Sequence, residues 1–555
     1  MGKLRSALIV SILAMGTGLG ISACGSDDSD STGGDDGATA KTGGSIKIGS
    51  VLPDNYDPVM FQTTQANEPL QLVYTGLVTY KHAEGAEGTE VIPGLAEALP
   101  EISADKQTYT FKLRSGLKYS DGTAVKASDF EHTIKRLNFL GGPFSSFTST
   151  IAGVPEYIEA KKEDADISGI TADDATGEIV VKLSEPDGKF LYAIGLANAA
   201  PTPASKAPFK ATPGIPGIGP YKIDIENPTR QYTLTKTPGF NIPGIAKGNI
   251  DTITVTKSTV PKMTQDVIAN KLDFMTEDPA GDLLPQVKAK YADRFRMDPN
   301  PPNTYWIFLN ESVKPFDSLE ARQAVNYAID SRALQRIFGG RLEPSCNFLP
   351  PAYASTGYQK IDPCPYGDPA GEPDIAKARE LVEKSGYKGM TVTVWGNNKD
   401  PRPAITDYFR DLMNEIGFKG KTKILDQQVY FGTIGDRKTK AQAGFTDWYQ
   451  DFPHPADFFE PNLSAKALAS NPTFNFQFKS DPDLDAALKK LGPESDPSKV
   501  ADEWAAVDRL VVEKAHAAVY GNELSTSFFS ERMDFENCNG VHPVYKNDWS
   551  LFCLK

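Results

Sequence analysis

The sequence of 555 residues has only five cysteines and five histidines, and it contains no run of basic residues. Acidic residues outnumber basic ones by 72 to 58, so the formal net charge is −14. Affinity for nucleic acid comes from clustered positive charge, which this chain lacks. The motifs G-x-S-x-G, H-E-x-x-H and the P-loop are also missing from the sequence. We therefore expect neither a nucleic-acid-binding protein nor an enzyme, with no catalytic residue and no cofactor.

The chain has no long apolar run after its first residues. Lys3 and Arg5 precede an apolar stretch, residues 7–14, that is too short to span a bilayer, as in a signal peptide. Ile21-Ser22-Ala23-Cys24 follows and resembles the bacterial lipobox, in which the cysteine receives a lipid. A plain secretory signal with a chance cysteine is the alternative. We expect a signal peptide at 1–23 and a lipid on Cys24 that holds the protein, outside the cytoplasm, to the outer face of the cell membrane.

Residues 25–44 contain no aromatic and no large aliphatic side chain. Nothing there offsets the entropy lost on ordering, so this segment is predicted to be a flexible linker. The rest of the chain is long enough for roughly three or four domain-sized units.

The remaining four cysteines predict disulfides, because an exported protein folds in an oxidising compartment. Four cysteines allow three pairings. The local pairing is favoured because each close-spaced pair brackets a turn-rich segment. A free-thiol or metal site is the alternative, but no C-x-x-C spacing supports it, and we expect no metal. The favoured pairs are Cys346–Cys364 and Cys538–Cys553.

Strand-like and helix-like patterns alternate after residue 45, which predicts a mixed α/β protein. In QTYTFKLR, residues 107–114, aromatic and aliphatic side chains alternate with polar ones, as on a half-buried strand. LEARQAVNYAID, residues 319–330, has apolar residues along one helical face. Helix boundaries are predicted from a capping box at Ser128, from N-caps at Asp374 and Asp496, and from a terminal Gly417. Further strands are predicted at 45–51, 178–183, 231–236, 251–258, 305–310 and 391–395.

The stretch YTFKLRSGLKYSDGTAVKASDFEHTIKRL, residues 109–137, resembles the family 5 solute-binding proteins of ABC importers, which bind peptides, nickel complexes and related solutes. The family pattern there is a strand, Leu-Arg, a glycine, an aromatic residue, Asp-Gly-Thr and a capped helix. Four more stretches match in order, although Ile218 stands in place of Thr and Phe452 in place of Tyr. They are YTGLV (74–78) with PGLAE (93–97), GIGPY (217–221), ARQAVNYAID (321–330) and WYQDFP (448–453).

The resemblance implies a periplasmic-binding-protein fold of type II, with two lobes, an inserted subdomain and a ligand cleft between the lobes. The expected first lobe comprises 45–75, 206–303 and 517–555, and residues 76–205 form its inserted subdomain. The expected second lobe is 304–516.

The resemblance also implies a function: a monomeric binding lipoprotein that captures di- to oligopeptides and delivers them to an ABC permease in the membrane. Another solute, such as a nickel chelate, an opine or an oligosaccharide, is the alternative within the same class. An exported hydrolase is an alternative from a different class.

WYQDFPHPADFF, residues 448–459, carries the main site prediction. In peptide-binding members the Asp of this segment meets the peptide α-ammonium, and Asp451 takes that position. A desolvated carboxylate forms strong charge-assisted hydrogen bonds, aromatic walls exclude water, and two prolines stiffen the loop. Trp448, Tyr449 and Phe452 are the predicted walls. The alternative is a turn in which Asp451 caps local N–H groups.

Two more ligand contacts are predicted from the resemblance. Arg402 lies in a segment similar to the Arg-Pro segment of dipeptide-binding members, whose Arg meets the ligand carboxylate. A solvated Arg before a helix is the alternative. Tyr56 lies on the N-terminal segment that lines the cleft in the family, although a core position is the alternative for it. A metal reading of His454 with Asp451 and Asp457 is disfavoured, because the alternating prolines spoil their convergence.

Overall fold

The computed structural model describes residues 41–469, 471–538 and 540–555. The predicted signal peptide 1–23, Cys24 and most of the linker 25–44 lie outside the described residues. No helix in the described part of the chain combines the length and apolarity needed to cross a membrane.

A five-stranded mixed sheet is built from two distant parts of the chain. Ser45–Ser50 pairs in parallel with Thr252–Lys257 and with Phe274–Met275, and the remaining neighbours are antiparallel. The strand order is Phe274–Met275, Ser45–Ser50, Thr252–Lys257, Gln231–Lys236, Tyr221–Asn227.

A six-stranded sheet is formed by the second half of the chain. Asn303–Leu309 lies in its middle and pairs antiparallel with strands from residues 443 and 517 onwards. The order is Leu342–Glu343, Ala517–Glu523, Asn303–Leu309, Ala443–Tyr449, Thr391–Asn397, Lys419–Leu425.

A four-stranded antiparallel sheet is inserted in sequence between Ser45–Ser50 and Tyr221–Asn227 of the five-stranded sheet. Its strand order is Glu101–Ile102, Thr108–Lys112, Glu178–Lys182, Ile170–Asp173. As the alternation of QTYTFKLR predicts, Tyr109, Phe111 and Leu113 are buried. Two-stranded pairs are Val78–Tyr80 with Val91–Pro93, Phe295–Met297 with Thr526–Phe528, and Val541–His542 with Lys546–Asn547.

Each of the three larger sheets packs its own cluster of buried apolar side chains, with examples in Ile253, Phe111 and Ile307. The α-helices that cover them are Thr64–Leu70, Ser128–Phe139, Val154–Ala160, Phe190–Ile194, Val260–Ile268, Leu284–Lys290, Leu319–Ala328, Ser331–Ile337, Ile375–Lys384, Arg402–Ile416, Gln427–Gly435, Ala456–Leu463, Pro482–Leu491 and Ala501–Glu513.

We propose that these sheets correspond to the two lobes and the inserted subdomain. The first strand of the segment 517–555, Ala517–Glu523, pairs in the six-stranded sheet. The chain then returns toward the other sheet, since Phe529 forms a bridge with Phe274. The proposed crossover therefore follows Glu523.

Most predicted helix ends are confirmed. The Asp374 side chain accepts from the Lys377 N–H, and Gly417 ends its helix with φ 112°. Asp496 caps as expected, but its first turn, Pro497–Val500, is a 3₁₀ helix. The helix predicted to run through Asp330 ends at Ala328, because Asp330 instead caps the next helix.

The capping box at Ser128 is wrong. Ser128 is the first helical residue, and its hydroxyl donates to Asp174 Oδ2 at 3.0 Å. The carboxylate of Asp129, in the first turn, instead accepts hydrogen bonds from the N–H groups of Lys126 and Ala204.

Both local disulfides are present. Cys346 and Cys364 have Cα atoms 6.3 Å apart, and Cys538 and Cys553 have Cα atoms 5.5 Å apart.

Candidate ligand-binding site

Two adjoining cavities are lined by residues from distant parts of the chain. The smaller, here called the Asp451 cavity, has about 110 Å³, and the larger, here called the Arg296 cavity, has about 320 Å³. Both are lined by Pro302, Ser525, Pro543 and Lys546, so they adjoin, and the two together are here called the cleft. The Asp451 cavity is closed off by Phe61, Asn67, Phe144, Leu196, Tyr449 and Gln450.

Asp451 lies two residues beyond the end of the strand Ala443–Tyr449 and lines the Asp451 cavity. It is partly buried, and none of the described Lys, Arg or His side chains forms an ion pair with its carboxyl group. Burial raises the pKa of Asp451 to about 7, although a hydrogen bond with Asp457 opposes that rise. The carboxyl group thus faces the cavity without an ion-pair partner among the residues that the structure describes.

Asp457 stabilises the loop that contains Asp451 through a hydrogen bond to its backbone. Its Oδ2 accepts from the Asp451 backbone N–H at 2.9 Å, and the Tyr353 hydroxyl lies 3.0 Å from the same oxygen. Burial, and then the neighbouring Asp451, raise the pKa of Asp457 well above its usual range. Two carboxyl groups this close resist double ionisation, so the pair binds a proton more readily than an isolated carboxylate does.

His454 is a structural residue of the same loop. Its Nδ1 accepts from the Ala456 N–H at 3.2 Å, and its Nε2 lies 3.1 Å from the Glu494 carbonyl oxygen. Both ring nitrogens are therefore used within the protein. Burial lowers the pKa of His454, so the ring is neutral.

The three aromatic residues predicted as walls have different surroundings. Tyr449 lines the Asp451 cavity, with its hydroxyl 2.9 Å from that of Tyr305. Trp448 does not line either cavity and packs against Phe474, with ring centroids 5.4 Å apart. Adjacent strand residues point to opposite faces, which accounts for this difference.

Phe452 is fully buried and lies outside the cavity lining. Its ring packs edge-on against Phe147 at 5.1 Å, in a cluster with Tyr80, Leu196 and Tyr545. Phe452 therefore packs the loop after the strand Ala443–Tyr449 against residues from the proposed inserted subdomain.

Arg402 and Tyr56 both have partners within the protein. Arg402 donates to Asp447 Oδ2 at 3.0 Å and stacks over Phe445, with its Cζ 4.3 Å from the ring centroid. Tyr56 is 5% exposed in the core of the five-stranded sheet, and its hydroxyl donates to the Pro228 carbonyl oxygen. Neither residue lines the two cavities. Their roles as ligand contacts stay predictions from the resemblance.

Sequence reasoning did not find Lys546, which lines both cavities. Its Nζ donates to the Thr276 carbonyl oxygen at 3.0 Å. Burial lowers its pKa, but Asp278, Glu68 and other acids reverse that effect and leave the pKa raised. Its charge is thus already balanced by the protein. No local pattern around HPVYKN indicates this position, which depends on contacts with residues far away in the chain.

Comparisons with known proteins find similar sequences over most of the chain. Residues 90–469 match the family model described as bacterial extracellular solute-binding proteins, family 5 Middle. The chain is 26% identical over 433 residues to the glutathione-binding protein GsiB of Shigella flexneri serotype 5b (strain 8401), covering 74% of this chain and 76% of that protein. GsiB of Escherichia coli (strain K12) is similar to the same extent.

Solved structures show the same fold. The clavulanic acid biosynthesis oligopeptide binding protein 2 superposes with a TM-score of 0.83 at 23% identity, covering 93% of this chain and 96% of the other. The periplasmic binding protein DppA from Helicobacter pylori, solved with the peptide STSA, gives 0.75 at 20% identity, covering 93% and 98%. The predicted two-lobed α/β binding-protein fold is confirmed.

Proposed function

The chain belongs to the bacterial extracellular solute-binding proteins of family 5, and we propose that it captures peptides between its lobes and delivers them to an ABC permease. The observation that carries this proposal is the Asp451 carboxyl group, which lines a cleft and has no cationic partner among the described residues. A peptide α-ammonium is a suitable partner for such a group.

The chemistry of the cleft supports a cationic group at this position. An ammonium beside Asp451 would favour the ionised carboxylate and would form charge-assisted hydrogen bonds, which are stronger than neutral ones. Tyr449 and Phe144 border the same cavity and limit the access of water. The loop is held by Asp457 and by the proline residues, so little ordering is needed on binding.

Another solute of the same class is the alternative that the comparisons favour most specifically. The relative GsiB is named as a glutathione-binding protein. Glutathione carries an ammonium group, so it would satisfy Asp451 equally well and belongs in the set of test ligands.

A hydrolytic role finds little support in the side chains that meet at His82. Ser550 Oγ and Asp548 Oδ2 both lie near the same ring nitrogen, Nδ1, at 3.1 and 2.5 Å. The Ser550 hydroxyl also donates to Asp548. A catalytic triad needs the serine and the carboxylate on opposite ring nitrogens. We propose a binding role without catalysis.

We also propose that a lipid on Cys24 attaches this protein to the outer face of the membrane, where it acts as a monomer beside its permease. The support is the order of charged, apolar and lipobox residues at 3–24. Cys24 lies outside the described residues.

Native mass spectrometry of freshly purified protein tests the proposed function. Di- to pentapeptides and glutathione would be offered as a mixture, and the bound members identified by mass. We expect peptides with a free amino group to be retained. Retention of neutral sugars or metal chelates, with no peptide bound, would contradict peptide capture.

A further inference from the structure

The Arg296 cavity contains three basic side chains, and two of them are already engaged. Lys546 donates to Thr276 and is surrounded by acids. His542 has its Nε2 2.9 Å from the Lys81 carbonyl oxygen, and its Nδ1 accepts from the Val544 and Tyr545 N–H groups. Burial lowers the pKa of His542 to about 4, so its ring is neutral. The neutral His542 ring offers no charge to an anionic ligand, and the acids around Lys546 compete with such a ligand for its charge.

Arg296 is the third basic side chain. It lies on the strand Phe295–Met297, where it pairs with Ser527, and both residues line the cavity. It is half-buried, and its guanidinium forms no hydrogen bond or ion pair with any residue that the structure describes. A guanidinium group offers a planar fork of donors that matches a carboxylate, so an unpaired one in a cleft is suited to bind an anion.

The nearest acid does not neutralise this group directly. Asp298 lies two residues further along, and its Oδ1 accepts from the Asn300 N–H at 2.9 Å within a turn. Burial raises the pKa of Asp298, while that N–H and the charge of Arg296 lower it. Asp298 is thus held in its turn by the Asn300 N–H and forms no ion pair with Arg296.

We propose that Arg296 binds the carboxylate of the ligand, so that the cleft holds a zwitterion with its ammonium at Asp451 and its carboxylate in the Arg296 cavity. This inference rests on the proposed function. The two groups line different cavities that share Pro302, Ser525, Pro543 and Lys546. The ligand therefore passes these residues and is an extended chain, longer than a single amino acid.

The test compares Arg296→Gln with the wild type. Alanine- and glycine-based tri- to pentapeptides, prepared both as free acids and as C-terminal amides, are screened by native mass spectrometry, and bound members are measured by calorimetry. We expect the wild type to bind free acids at least about tenfold more tightly than amides. Arg296→Gln should remove that difference by weakening only the acids, because losing one partner of a desolvated charge pair is costly.

Arg230→Gln is the matched control, since Arg230 is exposed in the turn between two strands and lines neither cavity. It should leave the preference unchanged. Undiminished binding of the amides to Arg296→Gln would show that the variant is folded. A further arm uses amidated peptides with one Glu side chain. If these bind like free acids and lose affinity in Arg296→Gln, the carboxylate at Arg296 is that of a side chain.

Two outcomes overturn the inference alone. One is a wild type that binds free acids and amides equally, and the other is an acid preference that survives in Arg296→Gln, which would place the anion elsewhere. If the wild type binds no peptide of either form, the proposed function fails together with this inference.

Discussion

Lys189 and Glu460 form an ion pair of 2.8 Å that joins the start of the helix Phe190–Ile194 to the helix Ala456–Leu463. Lys189 also contacts Asp187 at 3.0 Å, and its side chain is only 11% exposed. A hydrogen bond from the Gly188 N–H to the Gly492 carbonyl oxygen joins the same two parts of the chain. These contacts connect the proposed inserted subdomain to the proposed second lobe, and we propose that they help to hold the cleft closed.

Lys189→Met should favour an open form of the ligand-free protein. Removing one partner from a buried pair typically costs about 3–5 kcal/mol, because the other charge is left buried. Small-angle scattering should show a larger radius of gyration than that of the wild type, and saturating peptide should reduce it. Lys106→Met removes a more exposed pair with Glu494 and should have little effect. Identical scattering curves for Lys189→Met and the wild type would argue against this contact as a closure device.

Asp451→Asn should weaken binding of a peptide with a free amino group by about 2–5 kcal/mol, because it removes one partner from a desolvated pair. That corresponds to a loss of roughly thirtyfold to several thousandfold in affinity. Calorimetry on free and N-acetylated forms of one bound peptide measures the effect. Acetylation should weaken the wild type strongly and the variant only slightly.

Asp224→Asn is the matched control for this change, since Asp224 is exposed on a strand far from both cavities. If Asp451→Asn binds the free peptide as the wild type does, Asp451 is a turn residue and the ammonium is held elsewhere.

The stability of the ligand-free protein should fall as the pH rises from about 6.5 to about 8, where the buried histidines are neutral in both the folded and the unfolded state. Burial raises the pKa of Asp451 and Asp508 to about 7 and that of Glu68 to about 8. The folded state then binds more protons than the unfolded state in this window, so the free energy of unfolding decreases with pH. Urea unfolding at intervals of one pH unit measures the slope. Glu68→Gln cannot ionise and should flatten it; a slope that is unchanged in Glu68→Gln would exclude Glu68 as a cause.

Each disulfide should stabilise the protein by about 3 kcal/mol in the chain-entropy model, because the paired cysteines are 18 and 15 residues apart. Replacing Cys538 and Cys553 together by Ser should lower the free energy of unfolding by about that amount. Peptide mapping without reduction checks the pairing itself. Recovery of a peptide that links Cys346 to Cys538 would contradict it.

Cys24→Ala should abolish membrane attachment or leave the precursor unprocessed, because several acyl chains on one residue hold a protein firmly at a bilayer. Membrane fractionation and electrophoretic mobility provide the measurement. A variant that fractionates and migrates like the wild type would show that Cys24 is not the attachment site.

The sequence predicts helices and strands well where interactions between residues close in sequence determine them. Strand Gln231–Lys236 and the helix ends at Asp374 and Gly417 follow from alternation and capping, which act over a few residues. The Ser128 cap fails because a distant acid, Asp174, competes for the hydroxyl. Local pattern cannot register a partner 46 residues away.

The residues of the candidate site also differ in how far the local sequence predicts their positions. The loop position of Asp451 can be predicted from the surrounding aromatic and proline residues, and the structure places it in a cavity. Pleating dictates that Trp448 and Tyr449 face opposite sides, but the sequence does not indicate which side is the cleft. Arg402 is engaged by Asp447, and the unpaired state of Arg296 depends on what its neighbours bind, so neither could be predicted from local sequence.

The burial of Phe452 bears on the rate at which a ligand can associate with the protein. Its ring is wholly enclosed by aromatic and aliphatic side chains contributed from residues 80–196 and 544–545. A movement that separates Phe452 from these side chains would bring its ring into water, at a cost of about 1.5–3 kcal/mol. If opening of the proposed lobes requires that separation, the empty molecule would admit ligand only in a minor population. The association rate constant, more than the strength of the final contacts, would then respond to a smaller side chain at this position.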